Sequence, residues 1–331
     1  PYAHTMGWDT RLVEFRDDAT PGYWYANLCR DGRGRVAFGC GRYVHVTPKK
    51  SKPFSNPDCA VIKARDKVSC AHFWSTDVAP EPILFVATES NPPSIGVYRE
   101  EESSESYRRL KQFALGSNRY DAVVTAMGTI VAASGTLLAL GLSSGIIELY
   151  SRENDRFRQV CVLDEFTKTI CCVRGDSTAH RGFVAASDDY GTVRVWEEKA
   201  PKSFAVVYKI KIEEDFAASL AVRGPLLLVG LFSGKLRVFD IEECALKGEV
   251  MSNTRCITAI DSHPSESIVL VAGEDCRASI LSLPSPGESQ LKLIFSVCVS
   301  TVITGATFTC SQPDSPDMSL ALYDRAYIVQ Y

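Results

Sequence analysis

No stretch of this 331-residue chain is an apolar run near the ~18 residues that a membrane-spanning helix needs, so no membrane span is expected. The first ten residues, PYAHTMGWDT, hold no apolar signal region. Met6-Gly7 fails as an acylation signal because Arg11 stands where Ser or Thr is required. Neither sign of charge prevails: 36 Lys and Arg face 40 Asp and Glu, a net charge of -4. Without a basic field, nucleic acid is not the expected partner. Histidine is scarce, with five residues (His4, His45, His72, His180, His263), none near Cys, Asp or Glu at a metal-ligand spacing. No metal and no cofactor are expected. The twelve cysteines form no C-x-x-C, and there is no N-x-S/T acceptor. Cys171, Cys256 and Cys298 lie inside apolar strand patterns, as reduced, buried thiols do. A cytoplasmic location is expected. A nuclear one is the alternative, because Lys49-Lys50-Ser51-Lys52 resembles a short import signal.

What the chain does have is a repeat. Ser187 to Glu198, SDDYGTVRVWEE, is a turn and then a strand. Asp188, Asp189 and Gly191 are turn formers, and Thr192 to Trp196 alternate as a half-buried strand does. The small apolar run 182–187 before the turn is a second strand. The unit recurs at 137–150, 226–239 and 268–281. Its turn positions Gly145, Gly191, Gly234 and Arg277 are 46, 43 and 43 residues apart. A period of ~40–45 residues with four strands per unit is the sign of a β-propeller. Seven such units fill the chain. The expectation is an all-β, seven-bladed propeller of four-stranded antiparallel blades, one domain over 1–331. The blades are placed at 23–64, 67–115, 121–163, 169–210, 216–251, 256–297 and 302–330. The strand at 11–16 is expected to complete the last blade and so remove the free sheet edges. A Pro-rich basic loop at 48–57 and an acidic, Ser-rich loop at Glu100–Glu105 interrupt the pattern.

Two segments imitate catalytic motifs. Gly141-Leu-Ser-Ser-Gly145 matches G-x-S-x-G, but it leads into a strand where a nucleophile elbow needs a helix. Gly230 to Leu236 suggests a phosphate loop but is one residue short and also leads into a strand. Both read as repeat turns, and no catalytic residues are assigned. The connections that enter each innermost strand should ring the mouth of the central channel. They carry Lys67, Arg119, Tyr120, Lys168, Phe216 and Arg255. Such a basic and aromatic collar suits an acidic or phosphorylated peptide.

With the blades laid out, the chain resembles the WD-repeat family. The resemblance rests on Ser187-Asp188-Asp189-Tyr190-Gly191 through Trp196, on Gly230–Phe239 with its Gly234, and on Gly273-Glu274-Asp275. It departs from the family in having no Gly-His dipeptide before any blade and in keeping only Trp196 of the repeat tryptophans. The family's Asp–His–Ser–Trp hydrogen-bond network therefore cannot be complete. Part of it could form in blade four, from Asp188 or Asp189 with Ser187 and Trp196. The resemblance implies a non-catalytic scaffold or adaptor that presents propeller faces to peptides and domains of protein partners. The alternatives are a phosphate-binding propeller for nucleic acid, phospholipid or phosphopeptide, and an enzyme with its site at the channel mouth.

Overall fold

A lone antiparallel sheet with apolar residues on both faces cannot bury itself, and stacking such sheets radially is one stable answer. The computed structural model of the chain takes that answer. It describes residues 11–14, 25–47, 59–74, 82–90, 92–101, 106–115, 122–153, 156–176, 181–284, 290–309, 317–325 and 327–331. The loop at 48–57, residues 102–105 of the acidic loop, His4, His180, Arg119 and Tyr120 lie outside the described residues.

The first strand, β1 (Arg11–Glu14), makes no pair with its neighbours in sequence and belongs to the last blade. Blade one holds β2 (Cys29–Arg30), β3 (Val36–Cys40), β4 (Tyr43–Val46) and β5 (Ala60–Lys63). Blade two holds β6 (Val68–Trp74), β7 (Ile83–Thr88), β8 (Ser94–Glu100) and β9 (Tyr107–Ala114). Blade three holds β10 (Val124–Ala132), β11 (Gly135–Leu142), β12 (Ile147–Glu153) and β13 (Arg156–Leu163). Blade four holds β14 (Ile170–Gly175), β15 (Val184–Asp188), β16 (Thr192–Ala200) and β17 (Ser203–Lys211). Blade five holds β18 (Ala217–Arg223), β19 (Leu226–Leu231), β20 (Lys235–Asp240) and β21 (Ala245–Met251). Blade six holds β22 (Ile257–Ser262), β23 (Ile268–Gly273), β24 (Arg277–Ser282) and β25 (Lys292–Cys298). Blade seven holds β26 (Ile303–Phe308), β27 (Met318–Leu322) and β28 (Tyr327–Gln330), with β1 as its fourth strand. β1 pairs antiparallel with β28, Leu12 opposite Val329. The inner strands β2, β6, β10, β14, β18, β22 and β26 each touch the next, and β26 returns to β2, so the ring is closed. The seven-bladed propeller whose last blade is completed by β1 is the expected fold.

The inner strands share a detail that positions them. In blades two to seven a β-bulge comes after the first residue, at Val68, Val124, Ile170, Ala217, Ile257 and Ile303. The bulged residues Ser69, Thr125, Cys171, Ala218, Thr258 and Thr304 are small. A bulge turns its extra residue out of the ladder. Two of these hydroxyls then bridge blades: Thr125 Oγ1 donates to Ile170 O at 2.6 Å, and Thr258 Oγ1 donates to Ile303 O at 2.6 Å.

Between blades the contact is apolar. Trp196 of β16 is buried to 1% exposure against Leu137, Leu149 and Phe166 of blade three. Burying one indole stabilises by about 5 kcal/mol at most. Blades one and two are also clamped by charge. Arg35 Nε meets Asp31 Oδ2 at 2.7 Å within blade one, and Arg35 Nη1 reaches Glu100 Oε1 of blade two at 2.5 Å.

Three local expectations are corrected. Blade one, placed from residue 23, has its inner strand only at Cys29–Arg30 among the described residues. Ala26 has φ 53°, which ends extended backbone before it, and Tyr25–Asn27 bonds elsewhere. The turn equivalent to the three glycines, expected at Arg277, has its left-handed residue at Cys276, φ 64°, and Arg277 already opens β24. The partial Asp–Ser–Trp network is not made. Ser187 Oγ donates to Ala217 O at 3.0 Å, and Asp188 Oδ1 accepts from Tyr190 N and Thr192 N at 3.0 and 2.7 Å. The Asp188 carboxylate is spent on the turn, while Trp196 packs into the blade interface.

Candidate partner-binding face

In a four-stranded antiparallel blade, the start of the first strand, the end of the second, the start of the third and the end of the fourth lie at one end. The connections between blades therefore share a face with the turns joining second and third strands. Hydrogen bonds knit the two sets together. Asp189 N donates to Thr169 O at 3.1 Å, Ile212 N to Gly191 O at 2.8 Å, Phe232 N to Phe216 O at 3.0 Å and Asn253 N to Gly234 O at 3.1 Å. Asp275 ties the next pair, its Oδ1 accepting from Asn253 Nδ2 at 2.7 Å and its Oδ2 from Thr254 N at 2.8 Å.

Lys67, Lys168, Phe216 and Arg255 all sit on interblade connections at this face. Their surroundings differ. Lys67 Nζ is paired with Glu89 Oε1 at 2.8 Å, so its charge is already met. Lys168 Nζ lies over the ring of Tyr190, 5.8 Å from its centroid. Phe216 stacks on Phe232 with centroids 4.9 Å apart and planes at 23°. Arg255 is exposed beside the turn that Asp275 holds.

Tyr190, Lys211 and Phe232 belong to the same surface, and sequence reasoning misses them. It considers only the connections entering inner strands, whereas Tyr190 and Phe232 ride on second-to-third-strand turns and Lys211 ends β17. Tyr190 is 67% exposed and Phe232 48%. Lys211 Nζ lies 4.0 Å from the Tyr190 ring centroid and also donates to Tyr190 O.

The channel beneath is partly closed from this face. Tyr25 to Asn27 lies across the inner strands of blades six and seven. Ala26 N donates to Thr258 O and Asn27 N to Thr304 O, both at 3.0 Å, and Tyr25 Oη donates to Glu274 Oε1 at 3.3 Å. A cavity inside the ring is lined by Tyr25, Cys29, Cys70, His72, Thr125 and Arg174 among others. His72, Cys29 and Cys70 are held neutral there. Burial, assisted by the Arg174 charge, lowers the His72 pKa to about 3, and its Nε2 is 2.9 Å from Thr129 Oγ1. Burial pushes the Cys29 and Cys70 thiols up to about 12. Among the described residues no three His, Cys, Asp or Glu converge as metal ligands, and no helix is long and apolar enough to cross a membrane. The G-x-S-x-G segment is a turn into β12. Ser143 Oγ accepts from Val123 N at 2.9 Å, which makes it a turn cap.

These features define the class: a seven-bladed β-propeller whose turns follow a WD-like repeat. No protein-family model matches the chain. WD repeat domain 54 of Rattus norvegicus and WD repeat-containing protein 54 of Mus musculus are each 25% identical to it over 152 residues, 45% of this chain and 44% of theirs. The chain thus spans less than half the length of the curated relatives it matches. Among solved structures, a chain of "Crystal Structure of Mitotic Checkpoint Complex" superposes with TM-score 0.74 at 16% identity, over 97% of this chain and 90% of that one. Raptor of Chaetomium thermophilum gives TM-score 0.73 at 15% identity, over 98% of this chain and 28% of that one. The fold and the relatives fit a WD-repeat propeller family.

Proposed function

We propose that the protein is a non-catalytic interaction scaffold whose partners bind the face built from interblade connections and second-to-third-strand turns. One observation carries this reading: exposed Tyr190 and Phe232 and the cations Lys168, Lys211 and Arg255 are gathered on that face by chain segments far apart in sequence. Tyr and Arg are among the side chains that most often dominate protein interfaces, and Phe is enriched there. His72, Cys29 and Cys70, which line the cavity inside the ring, are held neutral. Both relatives carry WD-repeat names, and one structural neighbour is a chain of a multiprotein complex, which accords with a role in assembly.

Affinity capture from native extract tests the reading, with wild type beside Lys168→Glu/Arg255→Glu and mass spectrometry as the readout. Stoichiometric protein partners lost in the variant are expected. Partners kept by both proteins would move the binding surface off this face. The absence of any stoichiometric partner would overturn the scaffold reading.

A further inference from the structure

On the propeller face, Lys168, Tyr190 and Lys211 come from three consecutive parts of blades three and four. Lys168 is on the connection into β14, Tyr190 on the turn between β15 and β16, and Lys211 at the end of β17. Both ammonium groups lie over the one exposed ring, at 5.8 and 4.0 Å from its centroid. Several cations elsewhere on the surface have a carboxylate: Lys67 with Glu89, Arg194 and Lys209 with Glu165, Lys235 and Arg237 with Glu249. Among the described residues, none lies within ion-pair distance of Lys168 or Lys211. The carboxylates flanking Tyr190 and Lys211 in sequence do not fill the gap. Asp188 caps its own turn, and Asp215 Oδ1 accepts from Phe216 N and Ser233 N at 2.8 and 3.3 Å. Asp189, Glu213 and Glu214 are exposed but unpaired with either lysine.

Directly beyond Asp215 lies the apolar half of the surface, the stacked Phe216 and Phe232. Ile212 N to Gly191 O and Phe232 N to Phe216 O hold both halves to one five-residue connection, 212–216. The two halves are therefore adjacent, and the acidic run Glu213-Glu214-Asp215 separates them.

Resting on the scaffold reading, we infer that this surface takes a short linear peptide with a carboxylate at one end and an apolar side chain at the other. The carboxylate sits between Lys168 and Lys211 against Tyr190. The apolar side chain covers Phe232. The acidic run between the halves rejects a second acid in the middle of the peptide. Two ammonium groups on a π-face gain a carboxylate partner on binding, which neither has among the described residues of the free protein. An exposed phenyl stacked on a second ring offers rigid area at little entropic cost.

The test uses a phage-displayed library of random dodecapeptides panned on the purified chain, and then fluorescence anisotropy with the enriched sequence. The expected result is enrichment of Asp or Glu beside an aliphatic or aromatic residue. Binding of that peptide should weaken by roughly tenfold in Lys168→Glu/Lys211→Glu and in Phe232→Ala, and by a similar factor on raising salt. A peptide with its acid changed to Lys should bind the charge-reversed protein better than wild type. All three positions are exposed, and a thermal melt checks that the variants fold. Peptides without an acid, no enrichment at all, or affinity indifferent to the lysine reversal would overturn the inference. Tight binding of an oligonucleotide or of anionic phospholipid vesicles through the same lysines, with no peptide enriched, would overturn it in favour of a phosphate ligand. Stoichiometric capture of partners from extract together with non-acidic peptides would leave the scaffold standing and remove only the acid site.

Discussion

Asn27 and Gly39 exchange two hydrogen bonds: Asn27 Nδ2 donates to Gly39 O at 3.0 Å, and Gly39 N donates to Asn27 Oδ1 at 2.9 Å. A side-chain amide thus continues the ladder of blade one where its inner strand is only two residues long. Asn27 is buried, and its own N–H goes to Thr304 O of blade seven. Asn27→Ala strands a buried donor and a buried acceptor on Gly39. The expected cost is about 2–4 kcal/mol, read as a lowered urea midpoint with unchanged slope. Asn27→Asp keeps the acceptor but aims a carboxylate at Gly39 O, so it should not rescue. Wild-type stability in Asn27→Ala would show that water replaces the amide.

Gly234 and Gly41 occupy equivalent turns in different settings. Both have positive φ, 90° and 54°. A Cβ on Gly234 would lie 2.2 Å from Asn253 O and 2.7 Å from Arg255 O, whereas one on Gly41 meets nothing within 4 Å. Gly41→Ala should cost about 1 kcal/mol, the strain of the left-handed region alone. Gly234→Ala adds a clash with fixed backbone carbonyls and should cost about 3 kcal/mol or more. Equal losses of thermal stability in the two variants would show that the connection 252–256 gives way easily.

The repeat is legible where chemistry forces a residue type. Gly145, Gly191 and Gly234 announce three turns because their φ and the carbonyls beside them exclude other residues. Cys276 holds the same position without being glycine, so the sequence pattern puts the fourth turn one residue late. The bulged residues at the start of the inner strands leave a trace, a β-branched residue then a small polar one at Val68-Ser69, Val124-Thr125, Ile257-Thr258 and Ile303-Thr304. Such a two-residue pattern is too short to stand out until the blades are aligned. The candidate site is half legible. Lys168 and Phe216 lie on the connections into inner strands, where a collar is expected. Tyr190 and Lys211 join them only through the ring's packing, which brings a turn and a strand end beside a connection from the preceding blade.

His72 sets an acid dependence. Its folded pKa is about 3 against an ordinary 6.5, because burial and the Arg174 charge oppose protonation. Below about pH 6.5 the unfolded chain binds a proton that the folded chain refuses, so this contribution to stability is complete above that pH and is lost as pH falls towards 3. His72→Gln keeps a polar partner for Thr129 Oγ1 without the titration. The drop in urea midpoint between pH 7 and pH 4 should be smaller in His72→Gln than in wild type. An equal drop would place the acid sensitivity on carboxylates alone.

The thiols divide into two sets that alkylation can separate. Cys29 and Cys70 are buried, with pKa pushed from 9.0 to about 12, which cuts the thiolate present at pH 8 roughly a thousandfold. Cys244 and Cys298 are exposed. Iodoacetamide at pH 8 should therefore label Cys244 and Cys298 on the native protein, and Cys29 and Cys70 only after denaturation, as mapped by mass spectrometry. The same burial predicts alkaline weakening. Between about pH 9 and pH 12 the unfolded chain releases thiol protons that the folded chain holds, so stability present below pH 9 is lost as pH rises. Cys171 and Cys256, also pushed to about 12, add to this slope. Replacing Cys29 and Cys70 by Ala should flatten the fall in melting temperature between pH 8 and pH 10.5, although each variant starts from a lower value because a cavity replaces the sulfur. Native-state labelling of Cys29 as fast as that of Cys244 would mean that the inner strand of blade one opens locally, at the two-residue strand that Asn27 supports.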